Sequence, residues 1–171
     1  MIRFIACNIV LVLNLGCAVY QVHHGPALDP KAHWVQLPIL NYCENPHAGE
    51  RAESILGTLL RARGVSDLSH YPAARADNVP PDFDEQRRLE ESLTWARGKG
   101  FSYGMTGSVE EWTYRTGLDG DAAVGLTLQV IELESGKVVW SASGSRSGWG
   151  RETLSGVAQK LIASLLAELH P

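Results

Sequence analysis

The chain has 171 residues, 44% of them hydrophobic and 20% charged, with a formal net charge of −4. That is the length and composition of one globular domain without low-complexity tracts. A mildly acidic chain lacks the basic stripe that holds nucleic-acid phosphates, and it permits a cationic partner.

Met1–Arg3 is a short basic start, and Phe4–Leu13 is an apolar run broken only by Asn8. A membrane-spanning helix takes about 20 apolar residues, so this run reads instead as the apolar region of a secretory signal peptide. Leu13-Asn14-Leu15-Gly16-Cys17 then resembles the bacterial lipobox, although Asn14 replaces the usual aliphatic residue. The resemblance implies a diacylglycerol on the Cys17 thiol and acylation of the new N-terminus, since stable anchoring takes more than one acyl chain. It also implies the outer membrane, because Ala18 stands where an aspartate retains lipoproteins at the inner membrane. Residues 1–16 are therefore expected to be a signal peptide, 17–32 the lipidated cysteine and a tether, and 33–171 one periplasmic domain. The tether, with His23, His24, Gly25, Pro26 and Pro30, has no hydrophobic period. At roughly 3.3–3.6 Å per residue, its 13 or so residues reach about 45 Å at most. Its two histidines have no further ligand at metal-site spacing. With Cys7 in the leader and Cys17 acylated, Cys43 is left without a disulfide partner and reads as a small buried residue near a strand end.

His33–Tyr42 is β-compatible, with Pro38 marking an edge or a bulge. Gly49–Arg63 places Ala52, Ile55, Leu56, Leu59 and Leu60 on one helical face and stops at Gly64. Val65–Tyr71 reads as a short strand ended by Pro72, and 72–82 as a polar loop. A second helix runs from a cap at Asp84 to about Gly98, with Arg87, Arg88, Glu90 and Glu91 on its solvated face. Phe101–Trp112 is a strand, 113–123 a loop, and Val124–Leu133 a strand leading into the Glu134-Ser135-Gly136-Lys137 hairpin turn. Val138–Ser145 alternates, with Trp140 on the core side. In the last helix Leu154, Ala158, Leu161, Leu165 and Leu169 step at three- and four-residue spacing. The order β-α-β-α-β-β-β-α implies an α/β (α+β) domain, a mixed sheet with helices packed on it.

No phosphate loop, dinucleotide fingerprint, nucleophile elbow or zinc-protease helix is present. Histidines are terminal or scattered, and neighbouring strand residues such as Glu110 and Glu111 point to opposite faces, so they form no carboxylate dyad. Neither a catalytic residue, nor a metal, nor a cofactor is expected, apart from the covalent lipid at Cys17.

Tyr103-Gly104-Met105-Thr106-Gly107-Ser108, then the run Gly125–Gly144 with Glu134-Ser135-Gly136-Lys137-Val138-Val139-Trp140 at its turn, resembles the C-terminal half of small periplasmic lipoproteins. These include the curli-secretion pore, the activators of penicillin-binding proteins, and the PelC family of Pel exopolysaccharide export. With the lipobox, the length and the loop Gly148-Trp149-Gly150, the chain is most similar to the PelC family. That resemblance implies a non-enzymatic outer-membrane lipoprotein. It assembles as a homo-oligomeric ring on the inner leaflet and passes a cationic, amino-sugar-rich polysaccharide to a PelB-like export porin. Two residue groups suit the role. Glu110, Glu111, Asp119 and Asp121, against Arg115 alone, would sum around a ring into a field that draws in a polycation. Trp149, between Arg146 and Arg151, suits a membrane interface, with the indole at headgroup level and the arginines on lipid phosphates, the alternatives being a subunit interface or contacts that cap the last helix.

The alternative is an outer-membrane lipoprotein that activates a peptidoglycan synthase, a monomer on a long tether. A curli-type pore would need membrane strands of about 9–11 alternating residues. The loops 72–82 and 113–123 are too short and polar to supply them.

Overall fold

The computed structural model describes residues 18–23, 25, 27–72, 81–115 and 120–169. The expected elements occur in the expected sequence, with one further strand ahead of them. They are β1 (Ala18–His23), β2 (Trp34–Asn41), α1 (Ala48–Ala62), β3 (Leu68–His70), α2 (Pro81–Gly98), β4 (Tyr103–Tyr114), β5 (Ala122–Glu132), β6 (Lys137–Ser147) and α3 (Leu154–Ala167). The strands form one mixed sheet in the order β1-β6-β5-β4-β2-β3, in which β2 runs parallel to β3 and β4 and the other pairs are antiparallel.

Helices α1 and α3 cover one face. Leu56, Leu60, Leu161 and Leu165 pack there against Trp34, Met105, Leu126, Leu128, Val130 and Trp140. Residues Val35, Leu37 and Leu133 belong to a second, smaller core with Ala96 of α2, flanked by Leu89, Leu93 and Trp95. Thus α2 lies on the opposite face, over β2. Strand β2 is buried on both faces, and its apolar run has little alternation for that reason. Beyond the reach of α2, the second face of β4-β5-β6-β1 is open. It carries Thr127 paired with Ser143, and Gly125 paired with Ser145.

Pro38 produces a bulge in an interior strand, the second of the two outcomes its presence predicted. The β2–β4 register shifts between Gln36 and Ile39. The Pro38 carbonyl accepts from Thr106 Oγ1 at 2.6 Å in a buried site. On its other side β2 outruns the three-residue β3, leaving N–H groups without a strand partner. Two glutamates satisfy them: Glu53 of α1 accepts from Ile39 N at 2.9 Å, and Glu85 of α2 accepts from Asn41 N. Burial raises the Glu53 pKa above the usual carboxylate value, with the Ile39 N–H and Arg88 opposing the shift. Arg88 is therefore not part of a solvated face. It is mostly buried and lies 3.8 Å from Glu53.

The expected tether is corrected at its start. Residues 18–23 form β1, an edge strand pairing antiparallel with β6 in the register Ala18 to Arg146 through His23 to Ser141. The following segment also belongs to the domain. Leu28 is buried in the main core and Trp34 Nε1 donates to Asp29 O at 2.9 Å. A side chain at Gly25 would collide with the Val139 carbonyl. Backbone pairing to an existing sheet edge requires little of the side chains, so the segment shows no strand pattern in sequence. Residues 1–17, including Cys17, lie outside the described residues.

Candidate functional site

The ends of four strands and the start of α3 meet at one pole of the domain. Tyr114, at the end of β4, pairs with Ala122, at the start of β5. Gly148 N, just past β6, donates to Ala122 O at 2.7 Å. The first residue of β1, Ala18, pairs with Arg146 in the row of Val124 and Trp112, two residues below the Tyr114–Ala122 row. Helix α3 starts here because Thr153 caps it, accepting from Gly156 N at 3.2 Å. The Tyr114 hydroxyl accepts from Leu154 N at 3.4 Å.

Trp149 stands at this pole and is 88% exposed. Its loop is held tightly from below. Gly148 is buried, and an added Cβ would lie 2.8 Å from Val157 Cγ2 and 3.2 Å from Glu152 Cβ. Gly150 has φ +64, a left-handed turn conformation that glycine adopts without strain. Glu152 ties the loop to the helix, accepting from Trp149 N and pairing with Lys160. Its pKa is lowered, first by the Lys160 hydrogen bond and further by Trp149 N–H and Arg146. Arg151, two residues beyond Trp149, is exposed. Arg146 is placed differently. It is half-buried, its Nε is buried, and its charge acts on Glu152, so it supports the loop from inside. Alternation along β6 turns it toward α3 and away from the surface.

The four acidic residues are not gathered into one loop. Asp119 lies outside the described residues. Asp121 is at the pole, half-buried, with Oδ1 enclosed and its carbonyl accepting from Arg115 N at 2.9 Å. Glu110 and Glu111 sit lower on β4, where Glu111 pairs with Gly125, about 10 Å below the Tyr114–Ala122 row at roughly 3.3 Å per residue. A register shift between Val109 and Glu111 overturns the expectation that these neighbours face opposite ways. Both line one open groove of about 450 Å³ on the free sheet face, with Gly125, Thr127, Ser143, Ser145, Val19 and Gln21. Arg115 Nη2 lies 3.4 Å from Glu111, and Ser108 Oγ donates to Glu110.

Two features of this surface were missed in the sequence. The serines of Ser141-Ala142-Ser143-Gly144-Ser145-Arg146-Ser147 recur every second residue, a readable sign of a hydroxyl-bearing sheet face. Tyr114, 52% exposed, carries no such sign, because strand ends are poorly defined by pattern. Among the described residues no group of three or more metal-ligating side chains occurs, and no helix is long and apolar enough to cross a membrane. His33 pairs with Asp67, His47 with Glu50, and His70 lies against Arg61.

The fold and pole define a class: small mixed-sheet α/β domains with two helices on one face and one on the other. A crystal structure of lipoprotein GNA1162 from Neisseria meningitidis shares the fold at 17% identity, with a TM-score of 0.53 over 80% of this chain and 96% of that one. Within this class the chain belongs to the PelC family. It is 40% identical to PelC from Paraburkholderia phytofirmans, whose structure is a dodecamer, with a TM-score of 0.76 over 90% of this chain and 98% of that one. A leucine-to-methionine variant of the same dodecamer gives 39% identity and a TM-score of 0.77 over 90% and 99%. No family model and no curated protein matches the chain.

Proposed function

We propose that this protein is a non-enzymatic outer-membrane lipoprotein of Pel-type exopolysaccharide secretion, acylated at Cys17 and facing the periplasm. Copies assemble into a homo-oligomeric ring that passes a cationic polysaccharide to a PelB-like export porin. The observation that carries the reading is 40% identity across 98% of a PelC that forms a dodecamer. The geometry supports it in three further ways. Trp149 projects from a pole that also holds Ala18, the residue after the acylated cysteine, as a membrane-contacting tryptophan should. Glu110 and Glu111 share an open, hydroxyl-lined groove, where repetition around a ring multiplies their field. A sheet that starts at Ala18 leaves no long tether, which favours a domain held at its membrane over a synthase activator reaching across the periplasm.

The test is a deletion strain complemented with wild type or with Glu110→Gln/Glu111→Gln. Deletion should abolish secretion of the cationic polysaccharide. The double variant should reduce it while leaving protein level and membrane fraction unchanged. Normal secretion in the deletion strain, together with a fall in peptidoglycan synthase activity, would transfer the chain to the activator reading.

A further inference from the structure

We infer that the open sheet face is a saccharide-binding groove, in which Tyr42 stacks on a sugar ring while Glu110 and Glu111 hold the ammonium groups of neighbouring amino sugars. This rests on the export reading above and adds to it a bound segment of the polymer and an aromatic residue that contacts it.

The strand registers line up one transverse row. Glu111 pairs with Gly125, Gly125 with Ser145, and Ser145 with Val19. Tyr42 N donates to Val109 O at 2.9 Å, which carries β2 on past Asn41 to stand beside Glu110. A Cβ added at Gly125 would lie 3.4 Å from Glu111 Cβ and 3.8 Å from Ser145 Cβ, so these residues share one face. Ser108, Thr127 and Ser143 form the next row on that face, with Thr127 Oγ1 donating to Ser143 Oγ at 3.0 Å. The first row crosses β2-β4-β5-β6-β1. With about 4.8 Å between neighbouring strands it is about 19 Å long, room for several linked sugar rings. The groove of about 450 Å³ described above covers its β4-to-β1 part. A second groove of about 460 Å³ shares Glu110 and Glu111 with it and continues past Tyr42 and Glu44.

An amino sugar offers a protein three things: an apolar C–H face, hydroxyls and an ammonium group. The row has a partner for each. Tyr42 is 64% exposed at the rim, and its ring loses little entropy when a flat apolar face packs on it. Serine and threonine hydroxyls both donate and accept. Glu44, Glu110 and Glu111 supply carboxylates for charge-assisted hydrogen bonds to ammonium. Among the described residues Arg115 alone forms an ion pair with any of the three, at Glu111. Gly125 leaves the floor of the row bare, so a ring lies close to the backbone. A second protein chain suits this row poorly. The cores of protein interfaces are apolar and depleted of charge, whereas here the exposed hydrophobic residues, Tyr42 and Val19, stand at opposite ends with carboxylates and hydroxyls between them. Matched to a sugar in all three respects, the groove selects amino sugars from other polycations, which a summed negative field does not.

The experiment titrates the acylated mature protein in detergent micelles by calorimetry, in a mildly acidic buffer that keeps amines protonated. The probes are a glucosamine hexasaccharide, its fully N-acetylated counterpart and hexalysine. The glucosamine hexamer should bind at least about fivefold more tightly than either of the others. Tyr42→Ala should weaken it at least about fivefold and Tyr42→Phe, which keeps the ring, less than about twofold. Tyr42→Leu replaces Tyr42→Ala if circular dichroism shows that the latter disturbs folding. Glu110→Gln should weaken binding at least about fivefold, and Glu134→Gln, which removes the same charge from the far hairpin turn, less than about twofold. Hexalysine binding as tightly as the sugar, or equal losses in Glu110→Gln and Glu134→Gln, would reduce the groove to a field and overturn the inference. So would unchanged affinity in Tyr42→Ala, or a loss in Tyr42→Phe as large as that in Tyr42→Ala. No binding at all, the result if another copy of the chain covers this face, would overturn it too. The export reading fails separately, by normal secretion in the deletion strain, whatever these titrations show.

Discussion

Trp149→Ala separates membrane contact from folding. The side chain is 88% exposed and flanked by glycines, so the folded domain gains little from it. Exposed substitutions usually change stability by no more than about 0.5 kcal/mol, roughly 1–2 °C in Tm for a domain of this size. On a bilayer, an indole at headgroup level buries on the order of 100 Å² of ring, and at about 25 cal/mol per Å² that is roughly 2.5 kcal/mol, or about 70-fold in partitioning. In a ring the loss repeats in every subunit and grows by avidity. The assay is vesicle co-sedimentation of the mature chain carrying Cys17→Ser, because an acylated protein stays on the membrane whatever its surface does. The described fold begins at Ala18, so this form keeps the whole of it. Partitioning should fall at least about tenfold, with Tm unchanged to within about 2 °C. Equal partitioning would refute the membrane role. A Tm loss of more than about 4 °C would place the ring in a packed or inter-subunit contact instead.

Three further substitutions test the account of the fold. Glu53 has a folded pKa above its ordinary value, so the native state holds more protons than the unfolded chain, and stability falls as pH rises through the raised pKa. Glu53→Gln should flatten that slope between the ordinary glutamate range and neutrality, as read from urea midpoints across pH; a slope identical to wild type would count against it. Thr106→Val removes the hydroxyl that donates to the buried Pro38 carbonyl and should cost about 1–3 kcal/mol, while Thr106→Ser should cost much less, both measured by thermal denaturation. Gly107→Ala would set a Cβ 2.0 Å from the Thr127 carbonyl. It should lower stability by at least about 1–3 kcal/mol because β4 and β5 must part, and an unchanged Tm would contradict this close approach as a packing constraint.

Most of the fold was legible because burial imposes periods that a sequence records. The leucines of α3 and the alternation around Trp140 are set by a single buried side, and both elements lie within two residues of their expected bounds. Strand β1 was hidden, since an edge strand can be held by backbone pairing while Val19 and Gln21 remain exposed. The solvated face assigned to α2 failed at Arg88, which is drawn inward by a glutamate 35 positions earlier in the chain. No local pattern reports such a partner.

The site was legible in its parts and not in their arrangement. Glycines on both sides of Trp149 announced an exposed tryptophan, and it is exposed. Charge counting grouped Glu110, Glu111 and Asp121, but a bulge turns the two glutamates into the sheet groove while Asp121 sits at the pole. Arg146 was assigned to lipid by its proximity to Trp149 in sequence, whereas strand alternation directs it to Glu152. These outcomes depend on register, which is set by pairing between distant segments.

The central claim is that this PelC-family chain works as an assembled homo-oligomer, and the native mass of residues 18–171 tests it most directly. Native mass spectrometry or light scattering should show one discrete high-order species, twelve copies if it follows the P. phytofirmans dodecamer. A monomer at high concentration, still monomeric when the acylated protein is placed on vesicles, would contradict the account.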